Sequence, residues 1–167
     1  MKRLMKIIGW LLVAIVVVFA AAVWHFSGEI VAFSPRPDDQ IIAEKQFKDL
    51  STFGVTAEEI TFTTREFSDR KQGETLTLAG WFIPGATKDA PVFIVLHGKG
   101  DNRIGVIKYA GMLARAGYTV LAYDHRHHGA SEGRVATYGY YEGYDVSAAI
   151  DYLEARGDCN TDRLGVM

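Results

Sequence analysis

A single cysteine, Cys159, among 167 residues excludes an intramolecular disulfide framework and a thiolate cage for a metal. The balance of 18 Lys and Arg against 20 Asp and Glu leaves a net charge of −2, so no excess of one sign points to nucleic acid. A Walker sequence is missing: Lys99 is followed by Gly100, with no glycine at the required spacing before Gly98. The dinucleotide fingerprint fails as well, because Arg103 stands where its third glycine belongs. Between Lys6 and Arg36 there is no Lys or Arg at all, and after His128 there is no histidine.

The first of those gaps encloses an uncharged run from Ile7 to Trp24, long enough for a helix to cross most of a bilayer and without a polar face. Lys2, Arg3 and Lys6 precede it, so the positive-inside bias predicts a cytoplasmic N-terminus and export of the remainder, with Trp10 and Trp24 at the interfaces. Ala20-Ala21-Ala22 offers small residues to a signal peptidase, and the alternative is a cleaved signal and a secreted domain. Sequencing the mature N-terminus separates the two: a start at Val23 would exclude the anchor.

Ser34-Pro35-Arg36-Pro37-Asp38-Asp39 then breaks the helix as a linker, followed by a weakly helical stretch from Gln40 to Leu50. Residues 1–33 thus form an anchor or signal segment, 34–58 a linker with a short helix, and 59–167 a globular portion. Within it, Glu59 to Thr64 and Leu76 to Pro84 alternate apolar and polar residues around a turn-rich stretch, Ser68 to Gly73, which predicts two antiparallel edge strands. Pro91 to Leu96 and Tyr118 to Tyr123 are continuously apolar, as parallel strands buried on both faces should be. Ile104 to Ala116, with Ile107, Ala110, Gly111 and Ala114 inward, and Gly143 to Arg156, with Val146, Ala149, Ile150 and Leu153 inward, are helices stopped by Gly117 and Gly157. Thr161 to Met167 reads as a polar turn opening a further buried strand. The fold class is α/β: a mostly parallel sheet flanked by helices, preceded by an antiparallel hairpin.

Two loops leave the carboxyl ends of the buried strands, where open α/β sheets keep their chemistry. His97-Gly98-Lys99-Gly100-Asp101-Asn102 brings glycine-flanked backbone N–H groups close to any substrate oxygen, the requirement of an oxyanion hole. The second loop, Asp124 to Gly133, holds His125, His127 and His128; adjacent loop histidines seldom converge on a metal, and the structural reading has them and Arg126 bonding loop carbonyls and Asp124. Gly129-Ala130-Ser131-Glu132-Gly133 matches G-x-S-x-G literally, yet four polar residues separate it from the strand and no helix follows. Ser131 is therefore expected to cap the loop rather than to attack a substrate.

Strand to His97-Gly98, strand to Asp124-His125-Arg126 and the Gly-x-Ser-x-Gly loop, then the helix containing Ala148-Ala149-Ile150-Asp151-Tyr152-Leu153 occur in an order that resembles the first half of an α/β-hydrolase domain. The likeness is to its membrane-associated serine hydrolase and dipeptidyl-peptidase-like branch, and it spans Glu59 to Met167. In that family a segment similar to Asn160-Thr161-Asp162-Arg163-Leu164-Gly165-Val166-Met167 directly precedes the nucleophile elbow. The resemblance implies an oxyanion donor at the backbone N–H of Lys99 with Gly100 beside it, a loop-fixing role for His97, and Asp124 with Arg126 as a strand-end pair ordering the second loop. His127 departs from it, standing where a glycine is common.

The nucleophile, acid and base of the triad have no position in this chain, and the resemblance implies neither cofactor nor metal. The expected function is that of a membrane-anchored serine hydrolase acting on an ester, thioester or peptide bond in its complete form, with this chain inactive alone. Expected partners are membrane lipid along residues 7–24 and a small-molecule or peptide substrate. The alternative is a non-catalytic membrane-anchored binding or assembly protein, disfavoured because its last strand would leave an apolar edge uncovered.

Overall fold

The computed structural model describes residues 2–65 and 75–167, and the turn-rich Ser68 to Gly73 lies outside the described residues. Two units separate, Met1–Phe33 and Ser34–Met167.

The first unit is helix α1, Lys2–Val31, whose side chains are exposed almost throughout and whose most apolar stretch has a mean hydropathy of 2.8. It continues past the uncharged run at both ends, because neither Met1 to Lys6 nor His25 to Val31 contains a proline to stop it. Among the described residues it is the one helix long and apolar enough to cross a membrane, a composition that suits an anchor and a signal sequence alike.

In the second unit the linker leads into α2, Asp38–Lys45, with Pro37 as its N-cap and Asp38 and Asp39 in its first turn, where acids complement the helix dipole. The helix thus starts earlier and stops sooner than the Gln40 to Leu50 pattern predicts: Gln46 turns left-handed, and a separate 3₁₀ turn follows at Leu50–Phe53.

Strands β1, Glu58–Arg65, β2, Thr75–Ile83, β3, Pro91–Val95, β4, Thr119–Tyr123, and β5, Asn160–Val166, form one sheet in the order β1-β2-β4-β3-β5. β1 and β2 are antiparallel, as expected, but only β1 is an edge. β2 is interior because its last residues, Gly80 to Ile83, pair with β4, and Trp81, Phe82 and Ile83 are buried in succession on both faces. β3 pairs in parallel with β4 on one side and β5 on the other, so the crossovers through α3, Ile107–Arg115, and α4, Glu142–Arg156, diverge from the sheet's centre.

Alternation along the central strands builds one core on each face. Val95, Val120 and Ala122 join Ile41 of α2 and Ile107 and Ala110 of α3, while Val92, Ile94, Leu121 and Tyr123 join Ala149 and Leu153 of α4. Each fully buried aliphatic side chain contributes about 1.5–3 kcal/mol. β5 is less buried than its sequence predicts, with Asp162 and Arg163 exposed and Val166 about half exposed, because β3 covers it on one side only. Gly165 lies against Phe93, whose ring a Cβ there would meet at 2.9 Å, and so lets the two strands close up.

Candidate active site

A pocket of about 390 Å³ opens at the carboxyl ends of β3 and β4, lined by His97, Gly98 and Lys99 of the first loop, His125 and His128 of the second, and Glu142 and Val146 of α4. This is the crevice position that the βαβ topology sets aside for ligands.

The first loop forms a tight turn. Asp101 N–H donates to Gly98 O at 3.2 Å, and Gly100 at its third position has φ 70°, which glycine adopts without steric cost. His97 orders this turn from one side: its Nε2 accepts the His125 N–H at 2.9 Å, so Nδ1 carries the proton and donates to Gly98 O at 2.8 Å. Gly98 C=O and Lys99 N–H belong to one planar trans peptide and point in opposite directions, so fixing the carbonyl fixes the direction of the amide.

His128 repeats the arrangement, with Nδ1 on Arg126 O at 2.9 Å and Nε2 accepting Gly100 N–H at 3.1 Å. That bond changes the expectation for Gly100. Its amide is committed to His128, so Gly100 shapes the turn instead of adding a second donor to an oxyanion hole.

The second loop hangs on β2. Ser131 Oγ donates to Asp124 O at 2.6 Å and accepts Ala79 N–H at 2.9 Å, extending the β2–β4 ladder past the end of β4. Glu132 closes the same edge through Thr77. With both faces of its hydroxyl engaged and no strand-to-helix turn around it, Ser131 has the geometry of a structural residue.

Asp124 and Arg126 order the loop through separate partners. Asp124 turns toward the 3₁₀ turn that precedes α3, accepting Arg103 N–H at 2.7 Å and Ala130 N–H at 2.9 Å, with Arg103 Nη1 at 3.9 Å. Arg126 turns to the other face and makes a two-pronged bond to Asp145 of α4, at 2.9 and 2.6 Å, with both side chains almost wholly buried. Its guanidinium also reaches Arg65 O at 3.2 Å. The strand-end pair that the resemblance implies is thus divided by the loop's change of face between the two residues.

Glu142 and Asp145 escaped the sequence reading altogether. Burial pushes the Glu142 carboxyl up, but bonds from Thr137 N–H at 2.6 Å, Thr137 Oγ1 at 2.8 Å and Gly139 N–H at 2.7 Å outweigh it and hold the group below the usual range. The available signal was the spacing Glu142, Asp145, Ala149, Leu153, a helical face whose first turn is acidic.

His127 adopts φ 65°, a left-handed conformation that explains why a glycine suits this position. His127→Gly is expected to leave the fold intact and to stabilise it by up to about 1 kcal/mol in urea unfolding.

Burial, with the neighbouring His125 and His128 adding to it, lowers the His97 pKa from 6.5 to about 3, and His125 and His128 shift the same way, also chiefly through burial. Below pH 6.5 the unfolded chain therefore binds protons that the native state refuses. Stability is full above that pH and is lost progressively toward about pH 3. Asp124, raised by burial, acts in the opposite sense and only as pH approaches the carboxylate range. The melting temperature should fall steadily on acidification through this window, and less steeply in His97→Asn.

The sheet with helices on both faces and a pocket at the carboxyl ends of its central strands is the architecture this chain shares with solved α/β hydrolases. The chain belongs to the X-Pro dipeptidyl-peptidase (S15) family, whose model matches residues 39–167. It is 27% identical to the uncharacterized protein YqkD of Bacillus subtilis over 92% of this chain and 48% of that protein. It is also 30% identical to the uncharacterized protein YfhR of Salmonella typhimurium over 71% of this chain and 39% of that one. The chain thus spans less than half the length of these relatives.

Among solved structures, the Pyrococcus furiosus esterase Pf2001 superposes with a TM-score of 0.56 at 26% identity, over 70% of this chain and 42% of that one. The α/β hydrolase GrgF of a Penicillium species shares the fold, with a TM-score of 0.57 at 23% identity over 67% and 37% of the two chains.

Proposed function

We propose that this chain carries the oxyanion half of a membrane-anchored serine hydrolase that cleaves carboxylic esters, thioesters or peptide bonds. The observation that carries the reading is the Gly98–Asp101 turn, in which His97 holds Gly98 O and so aims the Lys99 N–H from a fixed peptide plane beside the pocket. A donor fixed before reaction needs no reorganisation when the oxyanion forms, and such a group is worth about 3 kcal/mol of transition-state stabilisation.

In this reading a serine beyond Met167 attacks the substrate carbonyl, a histidine takes its proton, and a carboxylate orients that histidine. The alignment of β5 supports it: Leu96 N–H donates to Met167 O at 2.8 Å, so the strand's carboxyl end runs level with the start of the oxyanion loop. α1 serves as the anchor, with the hydrolase domain on the extracytoplasmic side.

Labelling with a fluorophosphonate probe tests the reading. The full-length protein should react stoichiometrically, the 167-residue chain should not react, and Ser131→Ala should leave the full-length labelling unchanged. Labelling of Ser131 itself would overturn the assignment. Resistance of the full-length protein to carbonate extraction from membranes, with Met1 to Val31 retained, tests the anchor.

A further inference from the structure

The turn that carries Lys99 is also gripped from the linker, by a residue outside all the loops that build the pocket. Arg36 donates twice to Gly100 O, from Nε at 2.9 Å and from its backbone N–H at 3.3 Å. Gly100 is thereby held at both ends, its N–H by His128 and its C=O by Arg36.

The grip is built rather than incidental. Arg36 stands between Pro35 and Pro37, and a residue before proline is confined to extended backbone, so the direction of its N–H is set in advance. Its guanidinium is fixed in turn by Glu44, one face of α2 further on, and by Asp101 Oδ2 at 3.4 Å. Two residues further on from Arg36, at the start of α2, Asp38 accepts the Nδ2–H of Asn102, a buried side chain whose Oδ1 also accepts the Ile104 N–H at 2.9 Å. The linker and the first residue of α2 thus span the turn from Gly100 to Asn102.

We infer that Arg36 is a positioning residue for the oxyanion turn, so that the segment following the apolar helix is part of the catalytic apparatus and not a passive tether. The inference rests on the hydrolase reading for its catalytic consequence, but the contact itself does not. With Arg36 in place, the Gly100 carbonyl cannot swing away from the linker and the turn cannot slide along the pocket wall. A displacement of about 1 Å in such an element is enough to cost on the order of a hundredfold in rate.

The test has two readouts in the full-length protein. Arg36→Ala should speed amide hydrogen exchange at Gly100 and Asp101 about tenfold or more, while Val120 and Leu121 in β4 exchange as before. The same variant should lower kcat on a p-nitrophenyl ester about tenfold, with KM changed less than about twofold, because the donor acts in the transition state. Arg36→Lys keeps a cation at Glu44 and Asp101 but loses the Nε donor, so it should still show the faster turn exchange and the lower kcat. Lys45→Ala removes the other cation facing Asp101, at 3.9 Å, and should change neither readout.

Unchanged exchange at Gly100 and Asp101 in Arg36→Ala would overturn the inference whatever the activity. An active wild type whose kcat survives Arg36→Ala would overturn it too. Faster turn exchange in a protein that hydrolyses nothing would count against the hydrolase reading and leave the positioning contact upheld.

Discussion

Asp145→Ala is expected to destabilise the globular unit by about 3–5 kcal/mol, much of the 5–15 kcal/mol typical of a whole domain. The reason is the charge left behind. Arg126 and Asp145 are 1% and 0% exposed, so deleting the carboxylate strands a guanidinium that water cannot reach. The damage would spread along two further connections, since Arg126 also ties Arg65 at the end of β1 and lies 5.3 Å from the ring of Tyr141. Urea unfolding followed by near-ultraviolet circular dichroism gives the magnitude. The double variant Arg126→Met with Asp145→Leu should recover a large part of the loss, because two apolar side chains bury no charge. A loss below about 1 kcal/mol in Asp145→Ala would mean that the pair is solvated and does not fix the second loop.

Under the proposed hydrolase function, His97→Ala is expected to lower kcat of the full-length protein about 10²-fold with little change in KM, the signature of a group that acts on the transition state alone. Without the imidazole, Gly98 O loses its 2.8 Å donor and the His125 N–H loses its acceptor. Of the two bonds on the carbonyl of the peptide plane that aims the Lys99 N–H, the turn's own Asp101 bond would remain and the imidazole's would be lost. Losing an oxyanion donor outright costs about 10²–10³ in kcat, and a donor that wanders should approach the lower bound. Stopped-flow hydrolysis of an activated ester separates kcat from KM, and a rise in KM at constant kcat would assign His97 to substrate binding instead.

Much of this architecture was legible in the sequence because it rests on local patterns. The continuous apolar runs of β3 and β4 and the glycine stops at Gly117 and Gly157, both at positive φ, are recorded in consecutive residues. The loops worth attention followed from strand ends. What was illegible depends on residues far apart in the chain. Arg126 finds Asp145 nineteen positions away across a change of face, and Arg36 finds Gly100 across sixty-four.

A charged side chain on a helix is read as solvent-facing by default, so the inward Glu142 and Asp145 ran against the pattern that located Ala149 and Leu153. The placement of β2 was recoverable. Three successive apolar residues, Trp81, Phe82 and Ile83, signal burial on both faces, and an edge strand has no use for that.

The central claim is that the Lys99 amide is the donor that meets the developing oxyanion. A crystal structure of the full-length protein with a phosphonate bonded to its nucleophile tests it most directly. The account predicts the phosphoryl oxygen within about 2.7–3.1 Å of Lys99 N. It also predicts the Gly98–Asp101 turn unchanged, with His97 on Gly98 O and Arg36 on Gly100 O. A phosphoryl oxygen held by other donors, with the Lys99 N–H directed away from it, would contradict the account.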